Sequence, residues 1–333
     1  MDIIRVDSIC KDFQIVNKRS GMRGYIKDLF NPRYDKLSAL NNVSFSVCQG
    51  EIVGLLGPNG AGKSTLIKLM TGILYPSSGD IQIIGEVPWK KRKKISKDIG
   101  TVFGQKSQLW FHLDLIDSLN VLEAIYEIPH DQFLKNKEML IDTFGISKIA
   151  TQPIRKLSLG QRMKCEIVAA LIHNPKLIFL DEPTIGLDLV SKQTVRDVLL
   201  EINKSWGTTI VLTSHDTGDI DNMCERAIII NEGMKVIDDN LQNIKKKYVK
   251  EKNIKIQFKE ALPKDLTIKN LKEIEKIDDN TIRVKIDVRE QDVNISQIIN
   301  QISTKGTIVD ITLDEMMLED IIKNIYINGV QFE

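Results

Sequence analysis

The stretch Gly57-Pro58-Asn59-Gly60-Ala61-Gly62-Lys63-Ser64-Thr65 constrains this chain more than any other, because it spells out a phosphate cradle. It fits the pattern G-x-x-x-x-G-K-[ST]. Before it stands the apolar run Ile52 to Leu56, which reads as a buried strand; after it Leu66 to Met70 reads as the first turns of a helix. Strand, tight glycine loop and helix start in that order aim several backbone N–H groups at one point. Glycine lets the backbone close around a phosphate where a Cβ would obstruct it. Lys63 brings a point charge to the terminal phosphates of a nucleotide, and the Ser64 hydroxyl is suited to ligate Mg²⁺. A structural turn can match the pattern by itself, but the flanking strand and helix favour nucleotide binding.

The rest of the composition narrows the class of protein around that loop. With 333 residues the chain is long enough for one large or two ordinary domains with real cores. Its 46 basic and 45 acidic residues leave a net charge of +1, so no global field points to nucleic acid or to an anionic membrane. No apolar run approaches the roughly 18 to 20 residues needed to span a bilayer. Met1 to Val6 alternates like a strand rather than forming the apolar core of a leader. Cys10, Cys48, Cys165 and Cys224 stand far apart, as expected of small buried residues in a reducing interior rather than of a metal site. The cluster Lys90 to Lys94 and the run Lys245 to Lys247 lack interleaved aromatics that could stack on bases, so both read as solvated surface. A soluble, cytosolic chain is the expectation.

Along the chain, Ile3 to Val6 and Val43 to Val47 alternate as strands. Between them lies a basic, insertion-like stretch, 18–36, in which Tyr25 to Phe30 reads as a short amphipathic helix. Residues 79–85 and 99–103 read as further strands. From about Gln105 to Met163 the periodicity turns helical, with Leu119, Leu122, Ile125 and Tyr126 on one face. Strands return at 176–180, 209–213 and 227–230, apolar enough to belong to a doubly wound parallel sheet covered on both faces. Beyond about Asn240 the texture changes to period-two strands at 254–258, 281–286 and 307–311, with helical segments near 295–302 and 318–325. That tail reads as a small α/β appendage suited to docking or regulation rather than catalysis.

A phosphate loop alone fits kinases, GTPases and many ATPases, so the discriminating residues lie downstream. Leu177 to Asp181 is an apolar strand ending in Asp181-Glu182-Pro183, which places Asp181 at the carboxyl edge of the sheet where ligands bind in open α/β folds. Asp181 is then placed to hold Mg²⁺, and Glu182 to orient and deprotonate a water in line with the terminal phosphate. Leu157-Ser158-Leu159-Gly160-Gln161 opens a helix with Ser158 as candidate N-cap. Gln105 after one strand, Asp188 in Gly186-Leu187-Asp188 and His215 in Leu212-Thr213-Ser214-His215-Asp216 complete the set. The order and spacing of His215 behind the paired acids favour a terminal-phosphate contact over a core histidine.

Taken together, these motifs resemble the nucleotide-binding subunit of ATP-binding cassette (ABC) transporters over about residues 1–240. The resemblance implies a P-loop NTPase α/β core with a parallel or mixed sheet, a helical subdomain at about 106–165 and a C-terminal accessory α/β domain at 241–333. It also implies ATP and Mg²⁺ as ligands. Gly57 to Thr65 looks like the Walker A loop and Leu177 to Glu182 like the Walker B strand. Gln105 resembles the glutamine that links Mg²⁺ and water to the helical subdomain. Leu157 to Gln161 resembles the family signature, with Ser158, Gly160 and Gln161 completing the ATP site of a second subunit. Asp188 matches the D-loop and His215 the switch histidine. For the adenine-stacking aromatic, Phe13 fits the local context and Tyr34 fits the distance to Gly57. The family usually has glycine where this chain has Leu159, which tightens the steric demands at the signature.

Residues 104–110 together with 157–163 are similar to a multidrug- or viologen-type exporter subfamily. The expected partners are an integral membrane permease and a second cassette, alike or unlike, with no nucleic acid, and the expected place is the inner face of the cell membrane. Two other classes compete. A soluble ABC-type ATPase acting on ribosomes or nucleic acid typically carries two cassettes or a long coiled coil, and this sequence has one cassette and no sustained heptads. A P-loop kinase would need neither the signature nor Glu182 beside Asp181.

Overall fold

The computed structural model describes residues 1–17, 21, 34–104, 107–214, 216–248, 251–260, 273–287, 295–304, 306–314 and 318–328. The chain divides into two compact units, Met1–Leu241 and Gln242–Glu333. In the first, the order is β1 (Asp2–Val16), β2 (Tyr34–Cys48), β3 (Ile52–Leu56), α1 (Lys63–Met70), β4 (Ser78–Ile83), the single-turn α2 (Arg92–Ile95) and β5 (Ile99–Phe103). Helices α3 (Leu115–Tyr126), α4 (His130–Thr143) and α5 (Leu159–Leu171) come next. The alternation then resumes as β6 (Leu177–Asp181), α6 (Leu189–Trp206), β7 (Thr209–Thr213), α7 (Thr217–Met223), β8 (Arg226–Asn231) and β9 (Met234–Asn240).

The apolar strands assemble as their composition requires. One sheet has the order β5-β6-β7-β3-β8-β9. The pairs β5–β6, β6–β7, β7–β3 and β3–β8 are parallel, and β9 closes the edge antiparallel to β8. The β8–β9 hairpin turns through Glu232 and Gly233, both at positive φ (48° and 76°), which suits the twist of the strands it joins. Val53, Phe179, Leu180, Ile210, Leu212 and Ile228 are buried along these strands. They have apolar residues on both faces, so the sheet needs cover on both.

A second, antiparallel sheet has the order β2-β1-β4. Its strands run far beyond the short alternating patches expected at 3–6 and 43–47, because β1 and β2 pair from Asp2↔Cys48 to Val16↔Tyr34, with register shifts on the way. Ile4, Ile9, Val43, Leu66 and Phe179 belong to one core beneath it. The helix expected at 25–30 lies outside the described residues.

The helical stretch places Leu115 and Leu119 inward, but Ile125 is 57% exposed and leaves the face expected for it. At 100° per residue, 115, 119, 122 and 126 form a narrow stripe and 125 falls on its rim. At the end of α3, Tyr126 stacks on His173 with ring centroids 4.0 Å apart and planes 4° from parallel. The His173 ring reaches the Ile99 carbonyl through Nε2 at 3.1 Å, as the Nε2–H tautomer requires. The buried thiols of Cys165 and Cys224 are both pushed up by burial, Cys165 to about 12, and so behave as small core residues.

Helix α8 (Leu241–Tyr248) starts on the last residue of the first unit, and the second continues with β10 (Glu251–Phe258), β11 (Glu273–Lys276), β12 (Thr281–Asp287), α9 (Ile295–Ser303), β13 (Ile308–Asp314) and α10 (Leu318–Asn328). The strands form an antiparallel sheet in the order β11-β12-β10-β13. Ile254, Ile256 and Phe258 are buried while Lys255 and Gln257 are exposed, so the period-two pattern gives one dry and one wet face.

Burial drives the His173 pKa down to about 4, against its ordinary value of 6.5. The unfolded chain therefore takes up a proton in a window where the folded chain does not. Stability is fully present above about pH 6.5 and is lost as pH falls toward 4, by on the order of 3 kcal/mol from this group. Thermal melts of His173→Phe between pH 7 and 4.5 should show a shallower acid loss than the parent. An identical slope would refute the assignment.

Candidate active site

Parallel register sets the geometry of the site before any side chain is considered. Phe103 pairs with Asp181, Asp181 with Thr213, and Thr213 with Leu55, so β5, β6, β7 and β3 end in one row. The residues just past these strand ends emerge on the same carboxyl edge: Gly104, Glu182, Ser214, and Leu56 leading into Gly57. Open α/β sheets bind ligands at this edge.

The phosphate loop folds as its glycines allow. A Cβ on Gly57 would lie 2.3 Å from the Ile230 carbonyl oxygen, and Gly62 caps α1 at φ 109°, a conformation other residues avoid. Lys63 is buried, and its Nζ donates to the carbonyls of Gly57 at 2.6 Å and Pro58 at 3.1 Å. Burial lowers its pKa, opposed by the charges of Glu182 and Asp181. The ammonium is thus held at the loop with two carboxylates within electrostatic reach. Thr65 comes after Ser64 in the first turn of α1.

The end of β6 carries the acids. Ser64 Oγ donates to Asp181 Oδ1 at 3.3 Å, and Thr213 Oγ1 donates to the same oxygen at 2.7 Å. Thr213 also accepts from the Glu182 N–H, through Oγ1 and through its carbonyl, both at 3.1 Å. Glu182 adopts a left-handed backbone, φ 57°, which costs a non-glycine residue on the order of 1–3 kcal/mol and persists only where surrounding bonds enforce it. A cleft of about 340 Å³ opens here, lined by Ser64, Lys68, Ile73, Phe103, Gly104, Asp181 and Glu182. The residues fit a hard cation and a polyphosphate: two oxygen donors 3.3 Å apart beside a buried ammonium and a helix N-terminus.

The remaining candidates divide into those placed elsewhere and those outside the described residues. Gln105 and His215 are among the latter. Ser158 caps α5 in a reciprocal box: its hydroxyl accepts from Gln161 N–H at 3.3 Å, and Gln161 Oε1 accepts from Ser158 N–H at 3.0 Å. Gly160 is buried on the first turn of that helix. Leu159, 40% exposed, leans on Gly186, where an added Cβ would lie 2.6 Å from Leu159 Cδ2. The start of α5 and the turn before Asp188 therefore touch through Leu159. Asp188 caps α6, accepting from Ser191 N–H at 2.9 Å and Ser191 Oγ at 2.8 Å, and the Ser191 backbone bond, the larger influence, holds its carboxyl below the ordinary range. Phe13 lies in β1 with Lys11 Nζ 5.0 Å above its ring, and Tyr34 starts β2, 55% exposed.

Sequence reasoning missed the residues that pin these pieces. Thr213 is one. Glu166 is another: buried in α5, it accepts from Ser107 Oγ and from Gln108 N–H (3.0 and 3.2 Å), tying the segment at 107–108 to that helix. Desolvation raises its pKa, opposed by those bonds. An acid among the apolar residues of α5 was the available signal. Asp219, also buried, is a third. Because Thr213 holds both Asp181 and the Glu182 N–H, Thr213→Val should lower kcat/KM for Mg–ATP about tenfold, ~1.4 kcal/mol. Steady-state kinetics giving parent values would remove Thr213 from the site.

The sequence profile of the ABC transporter family matches residues 40–185. The lantibiotic transport ATP-binding protein SrtF of Streptococcus pyogenes is 33% identical over 205 residues, covering 62% of this chain and 86% of SrtF. The linearmycin resistance ATP-binding protein LnrL of Bacillus subtilis is 34% identical over 200 residues, 60% of this chain; the chain spans 64% of that relative's length. Among solved structures, cbiO1 of Clostridium perfringens, part of the ABC transporter complex cbiONQ, superposes with a TM-score of 0.59 at 26% identity, covering 74% of this chain and 94% of its own. A dimeric bacterial ABC transporter cassette superposes with a TM-score of 0.60 at 25% identity, covering 72% and 98%. With the phosphate loop and the paired acids in the order described, the chain belongs to the ABC transporter family, among its ATP-binding subunits.

Proposed function

We propose that this chain is the energy-coupling ATPase of an exporter, working as a pair of cassettes on a separate membrane permease. The observation that carries the reading is the convergence of Ser64, Asp181, Thr213 and Glu182 at strand ends beside the buried Lys63. In this reading the loop from Gly57 to Thr65 wraps the phosphates with its N–H groups, and Lys63 exchanges its loop carbonyls for phosphate oxygens. Ser64 and Asp181, with Gln105 assigned from the sequence, hold Mg²⁺, which when bound offsets the negative charge of the phosphates. Glu182 accepts a proton from water as the water oxygen bonds to the γ-phosphorus and the bond from that phosphorus to the β-phosphate oxygen breaks, with ADP as the leaving group. His215 contacts the γ-phosphate, and Phe13 or Tyr34 stacks on the adenine.

Each cradle takes its second wall from another cassette, through Ser158, Gly160, Gln161 and the Asp188 loop. Charge-assisted bonds to phosphate contribute roughly 1.5–3 kcal/mol each, so a few of them bias a two-state closure strongly. Closure then drives the permease. Among the described residues no helix is long and apolar enough to cross a membrane, which fits a peripheral place on the inner face. Relatives named for lantibiotic transport and linearmycin resistance support export over a ribosomal or nucleic-acid partner.

Two variants test the reading. Glu182→Gln should bind ATP yet turn over about 10²- to 10⁴-fold more slowly, and should accumulate as a dimer with ATP on size-exclusion chromatography. Near-parent turnover would show that Glu182 is not the base. Lys63→Ala should weaken ATP binding at least about tenfold in a calorimetric titration; unchanged affinity would refute the contact.

A further inference from the structure

We propose that Asp219 is a positioning residue that fixes the turn carrying Glu182 and locks it to the helix that follows the Asp188 loop; this rests on the role proposed for Glu182. Asp219 lies in α7, outside every motif that marks the site, and is completely buried. Its carboxylate receives four donors from three other elements or loops. Thr184 Oγ1 donates to Oδ2, and so does Ser214 Oγ at 2.8 Å. On Oδ1 the Arg196 guanidinium binds through Nε at 2.8 Å and through a terminal nitrogen.

Two of the donor residues belong to loops of the active edge and the third to α6. Thr184, itself buried, lies two residues past Glu182 in a turn closed by Ile185 N–H to the Glu182 carbonyl (3.3 Å) and Leu187 N–H to the Thr184 carbonyl (3.2 Å). Ser214 directly succeeds Thr213, which holds Asp181 and the Glu182 N–H, and Ser214 Oγ also accepts from Asp216 N–H at 3.0 Å. Arg196 lies on α6, whose N-cap is Asp188. Glu182 is held from its N–H side by Thr213 and from the other side by Thr184 on Asp219. A left-handed glutamate held at both ends keeps its Cα–Cβ bond in one direction; released at one end, it relaxes toward ordinary backbone.

A carboxylate suits this junction for a chemical reason. Two hydroxyls and a guanidinium supply donors from separate directions, and only an ionised carboxyl presents acceptors alone on both oxygens. An amide of the same shape turns an N–H₂ toward a donor and leaves Arg196 without its counter-charge. A buried ion pair is weak support for stability by itself, so its placement between two active-edge loops and α6 calls for a functional reading.

The test uses the full chain and separates affinity from turnover. Asp219→Asn should lower kcat about 10- to 100-fold while the ATP dissociation constant from calorimetry stays within about threefold, since β3 and α1 make none of these bonds. Thr184→Val should lower kcat about three- to tenfold, Thr184→Ser should restore it, and the double variant should be no slower than Asp219→Asn. If Asp219→Asn does not fold, the Thr184 pair decides alone: parent turnover in Thr184→Val would overturn the proposal. Parent kcat per bound nucleotide in Asp219→Asn, with only a lower Tm, or additive effects in the double variant, would reduce Asp219 to a structural residue. Normal turnover in Glu182→Gln would instead remove the assignment beneath it, whereas slow Glu182→Gln beside normal Asp219→Asn would overturn the positioning role alone.

Discussion

Everything in the site depends on the parallel register that ends β5, β6, β7 and β3 in one row. That register brings a hydroxyl from β7, Thr213, against the carboxylate that ends β6, and sets both beside the helix start that succeeds β3. Slipping β6 by one residue would turn Asp181 to the opposite face of the sheet and put Leu180 in its place. The buried run of β6 opposes that slip, because it would carry Asp181 or the flanking Lys176 into the core. The chemistry therefore inherits its precision from packing.

How much of this is legible in the sequence depends on how far apart the cooperating residues lie. The phosphate loop is contiguous and its requirements are local: glycines at tight approaches, a lysine and a serine at a helix start. The Ser158–Gln161 capping box and the period-two strands at 254–258 and 281–286 are legible for the same reason. Thr213 is not, because its role is set by Asp181 and Glu182 some thirty positions earlier in the chain. Glu166 reaches Ser107 and Asp219 reaches Thr184 over similar or longer separations, and no local pattern announces either bond.

Other misses have different causes. The sheet β2-β1-β4 extends well past its alternating patches because pairing partners, not hydrophobic periodicity, hold exposed residues such as Lys36 and Leu37 in strand. β11, Glu273–Lys276, is a short, polar edge strand with Ile274 half-buried, too little apolar content to read as a strand alone. Counting apolar residues puts Ile125 inward, whereas the angle around the helix places it on the rim. In each case the local signal is genuine but tertiary pairing or geometry decides the outcome.

The N-caps of α5 and α6 differ in what they can still offer an anion. Ser158 uses a lone pair to accept from Gln161 N–H, so its hydroxyl proton remains available to donate to a phosphate oxygen. Asp188 has no such proton. Its bonds to Ser191 favour the ionised form, which presents acceptors only and repels a phosphate at contact distance. The two residues therefore cannot serve an ATP site in the same way. Ser158 suits direct recognition, while Asp188 suits orientation: it fixes the start of α6, and α6 carries Arg196 to the buried Asp219. On the proposed pairing of cassettes, that division would let Ser158 meet the nucleotide while the Asp188 end of α6 is linked through Arg196 and Asp219 to the turn that carries Glu182.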